Sequence, residues 1–273
     1  MKSTSVPTVV DLFAGAGGLS AGFTRAGYDV IGGVEFWTPA AESLLANHPT
    51  AYVETDDIRT VDARHFLRRL RCRPNLVLGG PSCQGFSTSG GLSRNGRKAD
   101  DERNSLFIEF IRFVDVLQPE WVVMENVPGL LLFNRGLVAK EVIKQFRMVG
   151  YHVVPMILLA ADFGVPQLRR RLFFVGNRTG SKVPFPIPTH GNPELWKGFS
   201  LPFEHLSRIG NKSAGSTVRP HVSFADACSD LPPIVSLVRI QISSSAARRV
   251  SHTRRLECAA PCVHARMLTS AAS

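Results

Sequence analysis

Short apolar runs alternate along this chain with segments of helical periodicity, and this alternation restricts the fold more than any other feature. Strands are predicted at residues 8–13, 29–34, 74–79, 120–125, 153–160 and 172–176. Helices are predicted between them at 19–26, 38–45, 104–117 and 140–149. Strands that alternate with helices favour a parallel, doubly wound α/β sheet. Ligands of such sheets bind at the carboxyl ends of the strands, so the residues after each strand are the candidate site.

Charge and hydropathy narrow the class of function. A net charge of +10 favours a polyanionic partner, most simply a nucleic acid. Hydrophobic residues make up 44% of the chain, which excludes wholesale disorder. The longest uncharged apolar run, residues 153–161, is too short for a membrane span, and no signal peptide is expected at the N-terminus. Five cysteines form no disulfide framework, so we expect a reduced, cytoplasmic compartment.

A glycine-rich turn follows the first predicted strand, with glycines at positions 15, 17 and 18. Glycine lets the backbone approach a ligand closely, and the following helix offers free N–H groups. The same turn also suits a plain strand-to-helix connection. Ser20 stands where the dinucleotide fingerprint has its last glycine, which weakens a nicotinamide interpretation and leaves another adenosine cofactor open.

The ends of the next strands carry side chains suited to a nucleoside. Glu35 stands 20 residues after Gly15, where a carboxylate can accept both ribose hydroxyls. Phe36 or Trp37 beside it is a candidate to stack on an adenine ring. Asp57, which precedes Ile58, is a candidate to bind the exocyclic amine. This spacing favours a nucleoside cofactor over the plain turn.

Two reactive side chains follow neighbouring predicted strands. Cys83 lies in the sequence Gly-Gly-Pro-Ser-Cys, a loop context in which a thiol can act as a nucleophile. A lone cysteine is more often a small core residue, but the glycines and proline argue against packing here. Glu125 ends the next strand, and it also suits the first residue of a polar loop. Because the two strands are expected to be neighbours, we predict that this nucleophile and this acid face one crevice.

A basic run, Gln-Leu-Arg-Arg-Arg at 167–171, precedes the last predicted strand. Side chains alternate in extended chain, so Gln167, Arg169 and Arg171 share one face. The run is equally typical of a solvated surface and of an anion or base contact aimed at the cleft, for which arginine offers a fixed fork of donors.

Four motifs in this order, FAGAGG, GGPSCQGFS, ENV and QLRRR, resemble the signature of DNA (cytosine-5) methyltransferases. The resemblance extends from Thr8 to Gly176 and continues more faintly through residues 188–190 and 224–233. It implies a Rossmann-like, S-adenosylmethionine-dependent methyltransferase fold that acts on double-stranded DNA, in the setting of a restriction–modification system. An RNA cytosine-5 methyltransferase and an inactive remnant that binds DNA weakly are the alternatives.

The resemblance also implies a role for each matched residue. Cys83 is expected to attack C6 of a cytosine flipped out of the duplex, while Glu125 binds N3 and the exocyclic amine. Arg169 is expected to help hold the base, and Arg171 completes the catalytic set. No metal is expected. The implied S-adenosylmethionine contacts are Phe13, Ala14, Gly15, Gly17, Gly18, Leu19, Glu35, Phe36, Trp37, Asp57, Ile58, Pro81 and Leu106.

A change in composition near residue 235 predicts the domain limits. Residues 235–273 contain six Arg, one Glu and neither Gly nor Phe. We expect a catalytic and cofactor-binding domain at 1–176, a short, partial recognition region at 177–234 and an atypical basic tail at 235–273. The family's closing Asn-Ala-Val-type segment, which completes the cofactor pocket, has no counterpart in this tail. Three hypotheses would account for the missing segment. The chain is a truncated or frame-shifted copy, a second polypeptide supplies the segment, or the chain is a short variant whose basic tail binds phosphate. Ser82 stands where the family most often has proline before the cysteine.

Overall fold

A computed structural model describes residues 6–82, 106–184, 186–191 and 219–230. The strands in these ranges are β1 (Thr8–Leu12), β2 (Asp29–Val34), β3 (Tyr52–Glu54), β4 (Leu76–Gly79), β5 (Trp121–Asn126), β6 (His152–Leu159) and β7 (Arg170–Asn177). The helices are α1 (Gly18–Arg25), α2 (Thr38–Asn47), α3 (Ala63–Arg69), α4 (Leu106–Leu117), α5 (Gly129–Leu132), α6 (Leu137–Met148) and α7 (Phe224–Ala227). The chain divides into two compact units, Met1–Ser229 and Asp230–Ser273, and the sheet belongs to the first.

The described strands form one sheet in the order β3-β2-β1-β4-β5-β7-β6. The pairs within β1 to β5 are all parallel. Strand β7 is antiparallel to both of its neighbours, β5 and β6. The doubly wound α/β prediction is confirmed, but the expectation of a wholly parallel sheet is wrong at β7. Residues 160–169 between β6 and β7 contain only a 3₁₀ turn, Ala160–Phe163, and are too short for the crossover that parallel neighbours require.

Apolar side chains project from both faces of the sheet because successive residues of a strand point to opposite sides. Val10 and Leu12 of β1 join the larger core cluster, which includes Phe66, Phe110 and Phe146 from α3, α4 and α6. Val9 of the same strand lies in a smaller cluster on which residues of α1 pack. The predicted amphipathic helix is confirmed, since the side chains that α4 buries lie at the expected spacing.

Four elements were missed by the sequence patterns: β3, α3 and the two four-residue helices α5 and α7. Strand β3 has three half-buried residues, which is too short for a visible alternation. Helix α3 is short and carries three arginines among its seven residues, so its apolar face is reduced to Ala63 and Phe66. Among the described residues, no helix combines the length and the apolar character that crossing a membrane would require.

Candidate active site

The loops after the parallel strands meet at one edge of the sheet. The glycine turn follows β1, Glu35 follows β2, Asp57 follows β3, and Gly80 follows β4. Glu125 lies near the end of β5, next to Met124, which pairs with Gly79 of β4. Because β7 runs in the opposite direction, its first residues reach this same edge. The sheet therefore gathers every predicted site segment that the structure describes.

The glycine turn is shaped by backbone conformations that disfavour side chains. Phe13, Gly15 and Gly17 have φ angles of 56°, 55° and 87°. A Cβ at Gly17 would lie 2.9 Å from Leu44 Cδ1. Both the positive φ and this lack of space therefore favour glycine at position 17. A Cβ at Gly15 or Gly18 would meet no atom within 4 Å. The turn thus leaves open space beside bare backbone at the start of α1, where free N–H groups are found.

Glu35 is buried and fixes this turn to the end of β2. Its Oε2 accepts a hydrogen bond from the Gly15 N–H at 2.8 Å, and its Oε1 accepts one from the Trp37 N–H at 2.9 Å. Phe36 and Trp37, directly after it, have exposed fractions of 74% and 60%. Large aromatic side chains this exposed beside a buried carboxylate form a surface on which a planar ring can stack.

The third loop is held by two arginines that the sequence patterns did not single out. Arg59 binds the Asp57 carboxylate, with 2.6 Å between Nη2 and Oδ2, and these bonds hold the pKa of that carboxyl below its usual range. Ile58 is buried, and its carbonyl accepts a hydrogen bond from Arg112 of α4 at 2.7 Å. The loop is therefore anchored to α4, and both oxygens of the Asp57 carboxylate accept hydrogen bonds from Arg59.

Asp11, inside β1, is a buried carboxylate at the base of the turn. Its Oδ2 accepts hydrogen bonds from the Ser20 hydroxyl at 2.6 Å and the Ser20 N–H at 3.2 Å, while Oδ1 has no partner. Burial raises the pKa of Asp11 to about 7, and the neighbouring Glu35 adds to the rise. Asp11 thus fastens the first turn of α1. The signal for it is a single acid in the apolar run Val-Val-Asp-Leu-Phe.

At the end of β5, Glu125 and Asn126 face different parts of the site. A Cβ at Gly80 would lie 3.1 Å from Glu125 Oε2, so the backbone after β4 passes directly beside the carboxylate. Asn126 is buried, and its side-chain N–H donates to the Pro81 carbonyl at 3.2 Å. These contacts fix the chain two residues before Cys83, which itself lies outside the described residues.

Arg171 forms an ion pair with Glu125, with 2.8 Å between Nε and Oε1 and only about a quarter of either side chain exposed. In the antiparallel register Glu125 pairs with Phe173, so Arg171 stands diagonally across on the same face. Burial raises the pKa of Glu125, while the charges of Arg171 and Arg169 oppose that rise. The face shared by Arg169 and Arg171 was predicted from alternation; its proximity to Glu125 follows from the direction of β7.

The remaining predicted contacts lie around this edge. Ala14 is buried after β1, Leu19 lies in α1, Pro81 is buried after β4, and Leu106 begins α4. Over the described ranges, no group of three or more His, Cys, Asp or Glu side chains is arranged to hold a metal ion.

Comparison with known proteins identifies the family. Residues 7–211 match the model of the C-5 cytosine-specific DNA methylase family. This chain belongs to that family. It is similar to the Type II methyltransferase M1.HphI of Haemophilus parahaemolyticus, with 45% identity over 67% of this chain and 49% of the relative. It is also similar to the Type II methyltransferase M.AquIA of Picosynechococcus sp., with 34% identity over 89% of this chain and 97% of the relative.

Solved structures agree with this membership. A protein described as a prophage-encoded DNA modification methyltransferase of E. coli has a TM-score of 0.61 and 28% identity, over 84% of this chain and 56% of that one. The chain spans about half the length of the first curated relatives that it matches, M1.HphI and M.AgeI of Thalassovita gelatinovora. The resemblance drawn from the four motifs is therefore confirmed at the level of the C5-methylase family.

Proposed function

We propose that this chain transfers a methyl group to C5 of a cytosine flipped out of double-stranded DNA, as the modification enzyme of a restriction–modification system. The observation that carries the proposal is the partly buried Glu125–Arg171 ion pair, which lies beside Gly80 on the stretch of backbone that leads to Cys83. A carboxyl group paired with an arginine, together with a cysteine a few residues along the neighbouring backbone, supplies the groups that an unreactive pyrimidine needs for addition at C6.

The residues at the neighbouring strand ends suit S-adenosylmethionine. Open space beside Gly15 and Gly18 admits a ligand against the backbone, Glu35 lies directly after β2 as the proposed ribose contact, and Phe36 and Trp37 are exposed beside it. Asp57 and Ile58 are the proposed contacts of the adenine ring. The remaining proposed contacts of the cofactor are Phe13, Ala14, Leu19, Pro81 and Leu106. When bound, this cofactor supplies the methyl group that C5 accepts.

The chain's own residues then perform the covalent chemistry on the base. The Cys83 thiolate forms a bond to C6, which moves electron density toward N3 and makes C5 nucleophilic. Glu125, whose pKa burial raises, holds the proton that N3 takes up, and Arg171 stabilises the carboxylate that remains. Arg169 helps to hold the base. Loss of the C5 proton to a base and departure of the thiolate then release the product.

A trapping experiment tests the proposal. Mixed-sequence duplex DNA with 5-fluorocytosine in place of cytosine is incubated with the chain and S-adenosylmethionine, because fluorine at C5 cannot leave as a proton. We expect a denaturant-resistant adduct with the wild-type chain, none with Cys83→Ala, and a normal adduct with Cys72→Ala. Cys72 is a matched control because it is an exposed cysteine just before β4, away from this edge.

The two alternatives, an RNA cytosine-5 methyltransferase and an inactive remnant, predict different results in the same experiment. An adduct with a 5-fluorocytosine RNA and none with the duplex would show an RNA methyltransferase. No adduct with either nucleic acid, from a chain that is folded by circular dichroism, would contradict catalysis by this chain alone. Repeating the reaction with the polypeptide encoded next to it tests whether a second chain completes the enzyme.

A further inference from the structure

Asp11 is an acidic residue inside strand β1, in which every residue is buried. It lies between Gly33 of β2 and Leu78 of β4 in the sheet register, and only 1% of it is exposed. Because side chains alternate along a strand, Asp11 points to the same face as Val9, the face on which α1 packs. Burying a carboxyl group costs free energy unless partners or a proton compensate for it, so its surroundings decide which form it takes.

Asp11 supplies the cap that helix α1 lacks in its own sequence. The N-cap position is Gly17, which has no side chain, and the first turn contains no acidic residue. Ser20 is the third residue of α1, so its N–H has no acceptor within the helix. Asp11 Oδ2 accepts this N–H at 3.2 Å and the Ser20 hydroxyl at 2.6 Å. Asp11 thus fixes the end of α1 at which the glycine turn presents its bare backbone.

The other oxygen of this carboxyl group is differently placed. Oδ1 is buried and has no hydrogen-bond partner among the residues that the structure describes. An unpartnered oxygen away from water favours the neutral form of the acid, with the proton on that oxygen. Burial raises the pKa of Asp11 to about 7, the bonds from Ser20 oppose the rise, and the charge of Glu35 adds to it. Asp11 therefore exchanges its proton near neutral pH.

Two carboxyl groups hold the glycine turn from neighbouring strands. Glu35, after β2, accepts a backbone N–H of the turn at 2.8 Å, while Asp11 of β1 holds the first turn of α1. The positions packed against this buried acid from β2, β4 and α1 are uncharged: Gly33, Leu78 and Ser20. Over the described ranges, Glu35 is the charged group that acts on Asp11, and no cation accompanies it. A positive charge that arrives at the turn would therefore stabilise the ionised form of Asp11.

We propose that Asp11 releases a proton when S-adenosylmethionine binds at the glycine turn, and that this exchange favours the sulfonium cofactor over its thioether product, which lacks that charge. A cation near two carboxyl groups favours their ionised forms, and the proton of Asp11 passes to solvent. S-adenosylhomocysteine, the product, offers no such gain. Asp11 is a positioning residue, because it acts from behind the turn through α1. This inference rests on the proposed function, since it concerns how the same site selects its cofactor.

Calorimetry of the full chain with S-adenosylmethionine tests the exchange, in two buffers that differ in ionisation enthalpy, because the pair of buffers measures proton release as well as affinity. Below about pH 7 the cofactor must displace the proton, so its affinity is lower there. For one linked proton we expect affinity to rise at least fivefold from about pH 6 to about pH 8 and then to level off. S-adenosylhomocysteine should show a smaller rise. Asp11→Asn, which keeps an oxygen for Ser20 but has no proton to exchange, should remove the rise and the proton release.

Two further variants separate the proton from a general effect on structure. Ser20→Ala removes the hydroxyl bond that stabilises the carboxylate, so the midpoint of the affinity curve should move to higher pH. Asp115→Asn, at an exposed aspartate of α4, is the matched control and should leave the curve unchanged. Titration of the cofactor's own groups is common to all of these chains and cancels when they are compared.

Three results would overturn the proposal, and they differ from one another. Parallel pH curves for the wild-type and Asp11→Asn chains would show that Asp11 exchanges no proton with the cofactor. Equal losses of affinity for cofactor and product in Asp11→Asn, with the pH dependence retained, would show a structural role only. A folded wild-type chain that binds neither compound at any pH would contradict the proposed function as well, whereas a 5-fluorocytosine adduct formed by a chain with a flat affinity curve would remove the proton exchange alone.

Discussion

Replacing Glu35 by glutamine keeps the size and shape of a buried side chain but exchanges one carboxylate oxygen, and the charge, for an NH₂ group, so it isolates what the carboxylate does. Both oxygens accept backbone N–H groups, from Gly15 at 2.8 Å and Trp37 at 2.9 Å. Glutamine offers one oxygen, and its NH₂ group faces the other N–H, donor against donor. We therefore expect Glu35→Gln to be damaging although it preserves the shape of the side chain.

The size of the effect follows from these two bonds. Hydrogen bonds to a charged acceptor are worth roughly 1.5–3 kcal/mol each, and a neutral one about 1 kcal/mol. An N–H left buried without an acceptor costs a further ~1–3 kcal/mol. Glu35→Gln should thus lower the free energy of unfolding by about 3 kcal/mol, and Tm by about 6–12 °C for a domain of this size.

Chemical and thermal unfolding monitored by circular dichroism measure this change, and calorimetry measures S-adenosylmethionine affinity alongside. The matched control is Glu42→Gln, at an exposed glutamate in α2, which should leave both quantities unchanged. The reasoning would be refuted by a Glu35→Gln chain that unfolds within about 0.5 kcal/mol of the wild type, the range of ordinary surface substitutions. Such a chain would show that the glycine turn holds its shape without the carboxylate.

Three further predictions follow from the same edge of the sheet and the loop beside it. Arg171→Ala should lower the rate of adduct formation at least tenfold, because the carboxylate that Glu125 becomes when it gives its proton to N3 loses the charge that stabilises it, whereas Arg171→Lys should retain part of the rate. The free energy of unfolding should fall as pH rises from about 4 to about 7, because folding raises the pKa of Asp11 from 3.8 to about 7. The unfolded chain therefore releases this proton at a lower pH than the folded chain does. Asp11→Asn should make the dependence of stability on pH flatter over this range. Gly164→Ala should destabilise the chain by about 2 kcal/mol or more, because alanine there has an unfavourable φ and contacts the His190 ring.

Each of these three predictions would be contradicted by a specific measurement. An unchanged adduct rate for Arg171→Ala in single-turnover gels would remove Arg171 from the catalytic set. A pH–stability curve of Asp11→Asn that parallels the wild type, measured by urea unfolding, would show that another group titrates in that range. A Gly164→Ala chain as stable as wild type would show that the His190 ring can move aside at no cost.

Much of the fold was predictable because the relevant information is local. The alternation of apolar runs with helical periodicity predicted six of the strands and the α/β class, since each element's burial pattern is written in its own residues. The order of the motifs also placed the glycine turn, Glu35, Asp57 and Glu125 after strands. Parallel strands bring such positions to one edge whatever the details of packing.

The tertiary structure decided the contacts whose partners are far apart in sequence. The direction of β7 brings Arg171 to Glu125, and nothing in the run Gln-Leu-Arg-Arg-Arg encodes that direction. Asp162 meets His221 across 59 positions of sequence. The two oxygens of Glu35 bind backbone at the glycine turn, which residue type alone does not indicate.

The arginines of the chain also show which properties the sequence determines and which depend on the tertiary structure. The sequence by itself determined that arginines are in excess and that a methylase signature runs through the sheet. The resemblance already placed Arg169 and Arg171 in the catalytic set with Glu125, and the folded chain decided the ion pair between Arg171 and this acid. The reason is physical: periodicity depends on neighbouring residues, whereas the position of a charge depends on strand order and direction, which connections and long-range pairing set.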